Sequence, residues 1–297
     1  MTACPPKIIT EPLCDWEGNI RAFEYGVTSK LCADDLSANF YIALDLEGVD
    51  LGRDPGTLEI ISVCIDEQTF VIDSRVLQLA LDLGGKDGSI CVGESFRRLV
   101  TDKRCITVMH DCRRDCDALW HYLHFLPANV HDTSAAYHVI YGIENANLNV
   151  TLAKFNQPIN KRRGKIDYIS YPRYWEQRPL TKGMVMYAAG DVHALVPMAH
   201  VQLDLAVSLN RLQRLYTESK CYRDKLWHLN CKWISCKFPI GEFVGYRGFN
   251  IKQVEKQTCC AFYSSGTEQE KQDGFYVYYA AKNLASAHRA LGHIDIY

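Results

Sequence analysis

The sequence predicts an α/β protein, a mixed sheet flanked by helices, with a small C-terminal α+β module. Three observations predict it. Strand-like runs follow one another between residues 40 and 73, helical stretches and short apolar strands alternate from there to about residue 215, and a new pattern of strand, helix, strand, strand, helix then begins.

Taken in order, residues 1–37 form an N-terminal segment to which no element is assigned. "FYIALDLEG", "TLEIISVCID" and "TFVID" are rich in β-branched and aromatic residues, with turn formers Gly52, Pro55 and Gly56 after the first and Asp66 and Glu67 after the second, which predicts a three-strand meander. "GESFRRLVTD" has helical spacing, "CITVM" is a short strand, and "RRDCDALWHYLHFL" returns to a helical period. "NVHDT" is a fifth strand; Asp132 or Thr133 caps the following helix, which Gly142 ends. From Leu180 to about Leu215 the pattern is helical, with a kink or break at Pro197. The polar stretch "YTESKCYRDK" is the expected linker, giving domains at 38–215 and 216–297.

Thirty-three basic against 35 acidic residues leave a net charge of -2, so any polyanion partner needs a local basic surface. The first residues lack a signal-peptide core and no later uncharged run reaches membrane-spanning length, which predicts a cytoplasmic or nuclear protein. Thirteen scattered cysteines fit reduced thiols, mostly buried as small hydrophobes. Cys221, His228, Cys231, Cys236, Cys259 and Cys260 have no familiar zinc spacing and are assigned to packing.

The chemistry sits in three acid-bearing segments. Strand alternation puts Asp45 and Glu47 on one face and Leu44 and Leu46 on the other. Two carboxylates that close repel each other unless a cation lies between them, and a hard divalent ion, Mg²⁺ or Mn²⁺, suits such oxygen ligands. In "VMHDCRRDCDAL" a strand runs into a helix that carries Asp115 one turn before the apolar anchor Leu119. In "YAAGDVHAL" Tyr187 and Asp191 stand at i and i+4, a phenol and a carboxylate on one helix face. Asp111, Asp117 and Asp132 are assigned to capping, surface or sheet-edge positions.

"ALDLEGVDLG", "VMHDCRRDCDAL" and "YAAGDV" resemble, in order, the three motifs of DEDDy 3′-5′ exonucleases, the group of RNase D and the Werner-type exonuclease, and are nearest to exonuclease 3′-5′-domain-containing proteins. "HDTSAAYHVI" and "YWEQRPLTKGMVMYAAGDV" add to a likeness over roughly residues 38–210. The resemblance implies an RNase H-like fold and two Mg²⁺ or Mn²⁺ ions. It implies that Asp45, Glu47 and Asp191 bind one ion, that Asp45 bridges to a second held by Asp115 largely through water, and that Tyr187 positions the attacking water. The implied reaction is two-metal hydrolysis from a 3′ end, releasing nucleoside 5′-monophosphates.

Residues 157–182 carry seven cations against Asp167 and Glu176, a local charge of +5, interleaved with Tyr168, Tyr171, Tyr174 and Trp175. Cations for phosphates and aromatics for bases suit a single-strand channel, with Lys161, Arg162 and Arg163 as contacts; a merely solvated loop is an equal reading of "KRRGK". Trp175, Arg178 and Pro179 are assigned to scaffolding of the Tyr187 helix. "IGEFVGYRGFNIKQVEKQT" resembles the core of a KH domain, whose Gly-x-x-Gly loop, here Gly245, Tyr246, Arg247 and Gly248, clamps a nucleic-acid backbone. Single-stranded RNA is therefore the expected partner, with DNA left open. The competing reading is an RNA-binding adaptor on an exonuclease fold without meaningful turnover.

Overall fold

The computed structural model describes residues 4–10, 16–33, 35, 37–77, 90–168, 170–264 and 274–292. The chain divides into two compact units, one of residues 1–166 and 175–227, the other of residues 167–174 and 228–297.

In the first unit six strands form one sheet: β1 (Lys7–Ile9), β2 (Phe40–Glu47), β3 (Ile60–Ile65), β4 (Gln68–Asp73), β5 (Cys105–Met109) and β6 (Asn129–Asp132). Their order is β1-β4-β3-β2-β5-β6; β3 runs antiparallel to β2 and β4, and the remaining neighbours are parallel. The helices are α1 (Trp16–Leu31), α2 (Ile90–Thr101), α3 (Arg113–Ala118), α4 (Thr133–Tyr141), α5 (Leu148–Lys154), α6 (Lys182–Val192), α7 (Leu195–Ser208) and α8 (Leu212–Arg223).

The two sheet faces have separate cores. Ile42, Leu44 and Leu46 of β2 pack with Phe23 and Val27 of α1 and with Phe96 and Leu99 of α2. Ala43, on the opposite pleat, packs with Leu148 of α5, Val192 of α6 and Leu195 and Met198 of α7. The face that carries Asp45 and Glu47 is therefore the one that α6 approaches.

The meander, the alternating elements and the capping agree with the sequence reading. Asp132 caps α4 by accepting the N–H groups of Ser134 and Ala135, and Gly142 ends that helix at φ 74°. The break near Pro197 falls between Val192 and Leu195, so the proline stands in the first turn of α7, where its missing N–H leaves few bonds unmade.

Three features differ. The N-terminal segment is structured: β1 adds a parallel edge strand, and Ile20, Phe23 and Val27 of α1 are core residues. The expected linker is largely helix α8, anchored by buried Leu215 and Ser219 and by the Arg223 guanidinium, which donates to the carbonyls of Pro127 and Ala128. Asp117 is no surface acid but wholly buried, accepting from Arg53 Nη2 at 2.6 Å; its charge is tolerated because it is paired.

The second unit contains β7 (Asn230–Ser235), α9 (Ile240–Val244), a 3₁₀ turn (Tyr246–Gly248), α10 (Phe249–Thr258), β8 (Ala261–Tyr263), β9 (Gly274–Tyr279) and α11 (Leu284–Ala290). Its sheet is antiparallel with order β7-β9-β8. Ile234, Phe243, Phe262, Phe275, Val277 and Leu291 form its core, with Ile251 and Val254 of α10 packed against it. Gly245 and Gly248 lie at φ 70° and 74°, a region costly for a side chain with Cβ, and Tyr246 and Phe249 are exposed. The side chain of Arg247 lies outside the described set. No described helix is long and apolar enough to cross a membrane.

Candidate active site

Strand β2 delivers Asp45 and Glu47, and α6 delivers Tyr187 and Asp191 one turn apart. Ligand oxygens of Asp45, Glu47 and Asp191 all lie within 4.8 Å of one another. Thr181 caps the start of α6 by accepting the Met184 N–H. The helix is fixed sideways by buried Trp175, whose ring meets Tyr187 edge-on at 5.4 Å. Arg178 bridges Asp73 (2.9 Å) and Glu59 (3.2 Å) while donating to the Trp175 carbonyl (2.8 Å), which is the scaffold role expected of it.

Asp115, buried at the first turn of α3, accepts the N–H of Leu46 at 3.1 Å. It is thereby tied to the strand between Asp45 and Glu47. Beyond Ala118 the helix widens into a π turn at Leu119–Leu123, so Leu119 is the buried anchor one turn on.

So many acids in one place resist ionisation. Burial, then the charges of Asp191 and Asp115, hold Asp45 well above the usual carboxylate range; burial, then Asp45 and Asp191, do the same for Glu47. Burial pushes Asp115 up to about 7, with its bond to the Leu46 N–H pulling the other way. Asp191 is raised less: burial lifts it, while Arg163 and Asn160 stabilise its charge.

Arg163 was expected to face phosphate, yet its Nε lies 3.3 Å from Asp191 Oδ2. Burial opposes its charge, but Asp191, Tyr187, Asp45 and Glu47 outweigh that and raise its hold on its proton. It serves as a cation for the acids of its own chain. Lys161 and Arg162 are exposed, as the expectation requires. The basic stretch is divided between the units, with 167–174 in the second, where Gly245, Tyr246, Arg247 and Gly248 also belong.

Two residues escaped the sequence reading. Asn160 Nδ2 donates to Asp191 Oδ1 at 2.8 Å, and Ser62 stands directly across from Asp45 on β3. A buried asparagine beside a cationic run carries no charge or periodicity that marks it. Asp45 Oδ2 and Ser62 Oγ are both buried with no hydrogen-bond partner in the protein. Orphaned acceptors are costly, so Asp45 Oδ2 beside two further carboxylates is a donor set that fits a hard divalent cation.

Residues 27–204 match the family described as 3′-5′ exonuclease. The chain belongs to the 3′-5′ exonuclease family. No curated protein matches it significantly in sequence. Among solved structures it is similar to the catalytic core of RRP6 from Trypanosoma brucei, with 20% identity and a TM-score of 0.55 over 75% of this chain and 53% of that one. It is similar to Escherichia coli RNase D at 18% identity and a TM-score of 0.55, over 75% of this chain and 50% of that one. Trypanosoma brucei RNase D, solved in complex with RNA U12, matches at 20% identity and a TM-score of 0.52, over 74% of this chain and 70% of that one. The chain thus spans about half the length of the first two. These likenesses show the fold: the mixed sheet and its helices are RNase H-like.

Proposed function

We propose that this exonuclease hydrolyses single-stranded RNA from the 3′ end, one nucleotide at a time, with Mg²⁺ or Mn²⁺. The observation that carries the reading is the convergence of Asp45, Glu47 and Asp191 within 4.8 Å, with Tyr187 one turn before Asp191. That pairing of phenol and carboxylate is the DEDDy form of the motif.

Asp45, Glu47 and Asp191 would hold one ion, and Asp45 and Asp115 a second, Asp115 largely through water. Two such ions, when bound, stabilise the attacking and leaving oxygens of an in-line displacement at phosphorus. The Tyr187 hydroxyl orients the attacking water. Water oxygen bonds to the terminal phosphorus, the bond to the preceding 3′ oxygen breaks, and that oxygen leaves as a hydroxyl. The products are a nucleoside 5′-monophosphate and an RNA one residue shorter.

The nuclease function is assigned to residues 38–215 and RNA retention to the KH-like part of 216–297, residues 228–297. A KH-like reading of the second unit is supported by its strand, two helices, two strands and helix, its antiparallel β7-β9-β8 order, and positive φ at both glycines of Gly-Tyr-Arg-Gly. RNA rather than DNA is favoured by that module, and the RNA complex of the similar RNase D points the same way.

The test is a 5′-labelled single-stranded RNA incubated with Mg²⁺ or Mn²⁺, with EDTA, and with Asp45→Asn. A ladder shortening from the 3′ end, lost in EDTA and in the variant, is expected. Intact RNA that still binds the protein would establish the adaptor reading instead.

A further inference from the structure

Asn160 occupies an unusual position for a residue in a cationic loop: it is only 5% exposed. Its main chain is clipped at both ends by one side chain of α5. Asn149 Oδ1 accepts the Asn160 N–H and Asn149 Nδ2 donates to the Asn160 carbonyl, each at 2.9 Å. With the backbone held, the side-chain amide has one satisfying orientation. Its Oδ1 accepts the N–H of Arg162 at 3.0 Å, which leaves Nδ2 to donate to the Tyr187 carbonyl at 2.9 Å and to Asp191 Oδ1 at 2.8 Å. The amide therefore spans the helical turn between the two functional residues of α6.

The helix makes room for it. A Cβ at Gly190 would lie 2.8 Å from both Cγ and Nδ2 of Asn160 and 3.0 Å from its Oδ1, closer than packed atoms tolerate. Alanine is the better residue for a helix interior, so glycine immediately before Asp191 answers a need for space. Sequence alone shows neither half of this arrangement, because the residues are thirty apart.

We propose that Asn160 is a positioning residue for Asp191, and that Gly190 is the space which lets it act. The amide fixes the carboxylate by Oδ1, so that Asp191 is delivered toward Asp45 and Glu47 in one rotamer rather than found by search. Hydrogen-bond partners that orient a metal ligand typically change metal affinity or activity by on the order of 10- to 100-fold when removed. The inference rests on the reading of Asp191 as a ligand of a divalent cation.

The experiment is calorimetric titration of the full-length, metal-free protein with MnCl₂, for wild type, Asn160→Ala, Gly190→Ala and the double variant, with thermal melts and RNA kinetics alongside. Asn160→Ala should weaken Mn²⁺ binding by on the order of tenfold or more. It should lower kcat while leaving KM for RNA near wild type, a split that a general loss of packing does not give. Gly190→Ala should do the same, because its methyl displaces the amide. The double variant should bind Mn²⁺ no worse than Asn160→Ala, and melt at least as high, because the methyl then fills the vacated volume. Such non-additivity is the signature of two residues acting through one contact. Should Gly190→Ala fail to fold, Asn160→Ala and the double variant decide alone. Wild-type Mn²⁺ affinity in Asn160→Ala, or additive losses in the double variant, would overturn the inference. A wild-type protein that takes up no Mn²⁺ overturns the metal reading and the inference with it.

Discussion

Raising the pH of the metal-free protein from about 6.5 to about 7.5 should destabilise it, and a divalent cation should cancel the loss. Asp45 and Glu47 are held well above the usual carboxylate range, and Asp115 is pushed up to about 7. Unfolded carboxyls titrate near 4, so across this window the folded state keeps protons the unfolded state has lost, and stability falls as pH rises. Burial lowers His110 and His131 to about 4, which works in the opposite direction. Unfolded histidine titrates near 6.5, so half of their effect remains at the start of the window, and together they offset roughly 0.7 kcal/mol across it. One retained proton costs about 1.4 kcal/mol per pH unit. If one of Asp45 and Glu47 stays protonated and Asp115 is half titrated, the carboxyls cost about 2 kcal/mol and the net loss is about 1.3 kcal/mol, or roughly 3–5 °C in Tm for a domain of this size. The assay is thermal unfolding at both pH values, in EDTA and in saturating Mg²⁺, for wild type and Asp45→Asn. Tm should fall with pH in EDTA, fall less in the variant, and hold steady in Mg²⁺. A flat or rising Tm in EDTA, or a fall that Mg²⁺ leaves intact, refutes the electrostatic account.

Arg163→Gln should bind Mn²⁺ at least tenfold more tightly by calorimetry, since the guanidinium 3.3 Å from Asp191 repels any cation that carboxylate would hold; unchanged affinity would show that Arg163 is no competitor. Arg53→Met should cost about 3 kcal/mol in urea unfolding, because it removes the guanidinium that pairs with the buried Asp117 carboxylate; near wild-type stability would show that the pair is dispensable. Replacing Gly245 and Gly248 together by Asp should weaken retention of a long RNA while leaving turnover of a very short oligonucleotide intact, as gel-shift and ladder assays would read. If both survive, the second unit does not hold RNA through that loop.

The sheet was legible because its signals are local. Alternation in "FYIALDLEG" places Asp45 and Glu47 opposite Leu44 and Leu46, and the two core clusters split along that line. Asp132 and Gly142 marked the ends of α4 by cap chemistry alone. Strand β1 was not legible, since three residues give too short a period and its pairing with β4 spans more than sixty positions. The part of helix α8 beyond Leu215 was missed because the helix buries so few of its own residues, and a polar surface helix looks like a linker. In the site, residues with charge or a motif were found, whereas Asn160 and Ser62 act only through long-range neighbours.

The basic loop shows why charge counting in sequence overstates a nucleic-acid surface. Of Lys161, Arg162 and Arg163, the first two are exposed and the third is tied to Asp191 at 3.3 Å. Only exposed cations can release counterions when they meet phosphate, and for single strands each contributes about 0.7 to the slope of log affinity against log salt. Replacing Lys161 and Arg162 by Ala should therefore reduce that slope by about 1.4 for a single-stranded RNA titrated onto the metal-free protein. Arg163→Gln should leave the slope where it was, although it removes the same charge from the same loop. Fluorescence-anisotropy titrations across a range of KCl concentrations measure both. A slope that responds to Arg163 and ignores Lys161 and Arg162 would mean that the guanidinium leaves Asp191 for the RNA backbone, and that the acids hold it less firmly than their crowding requires.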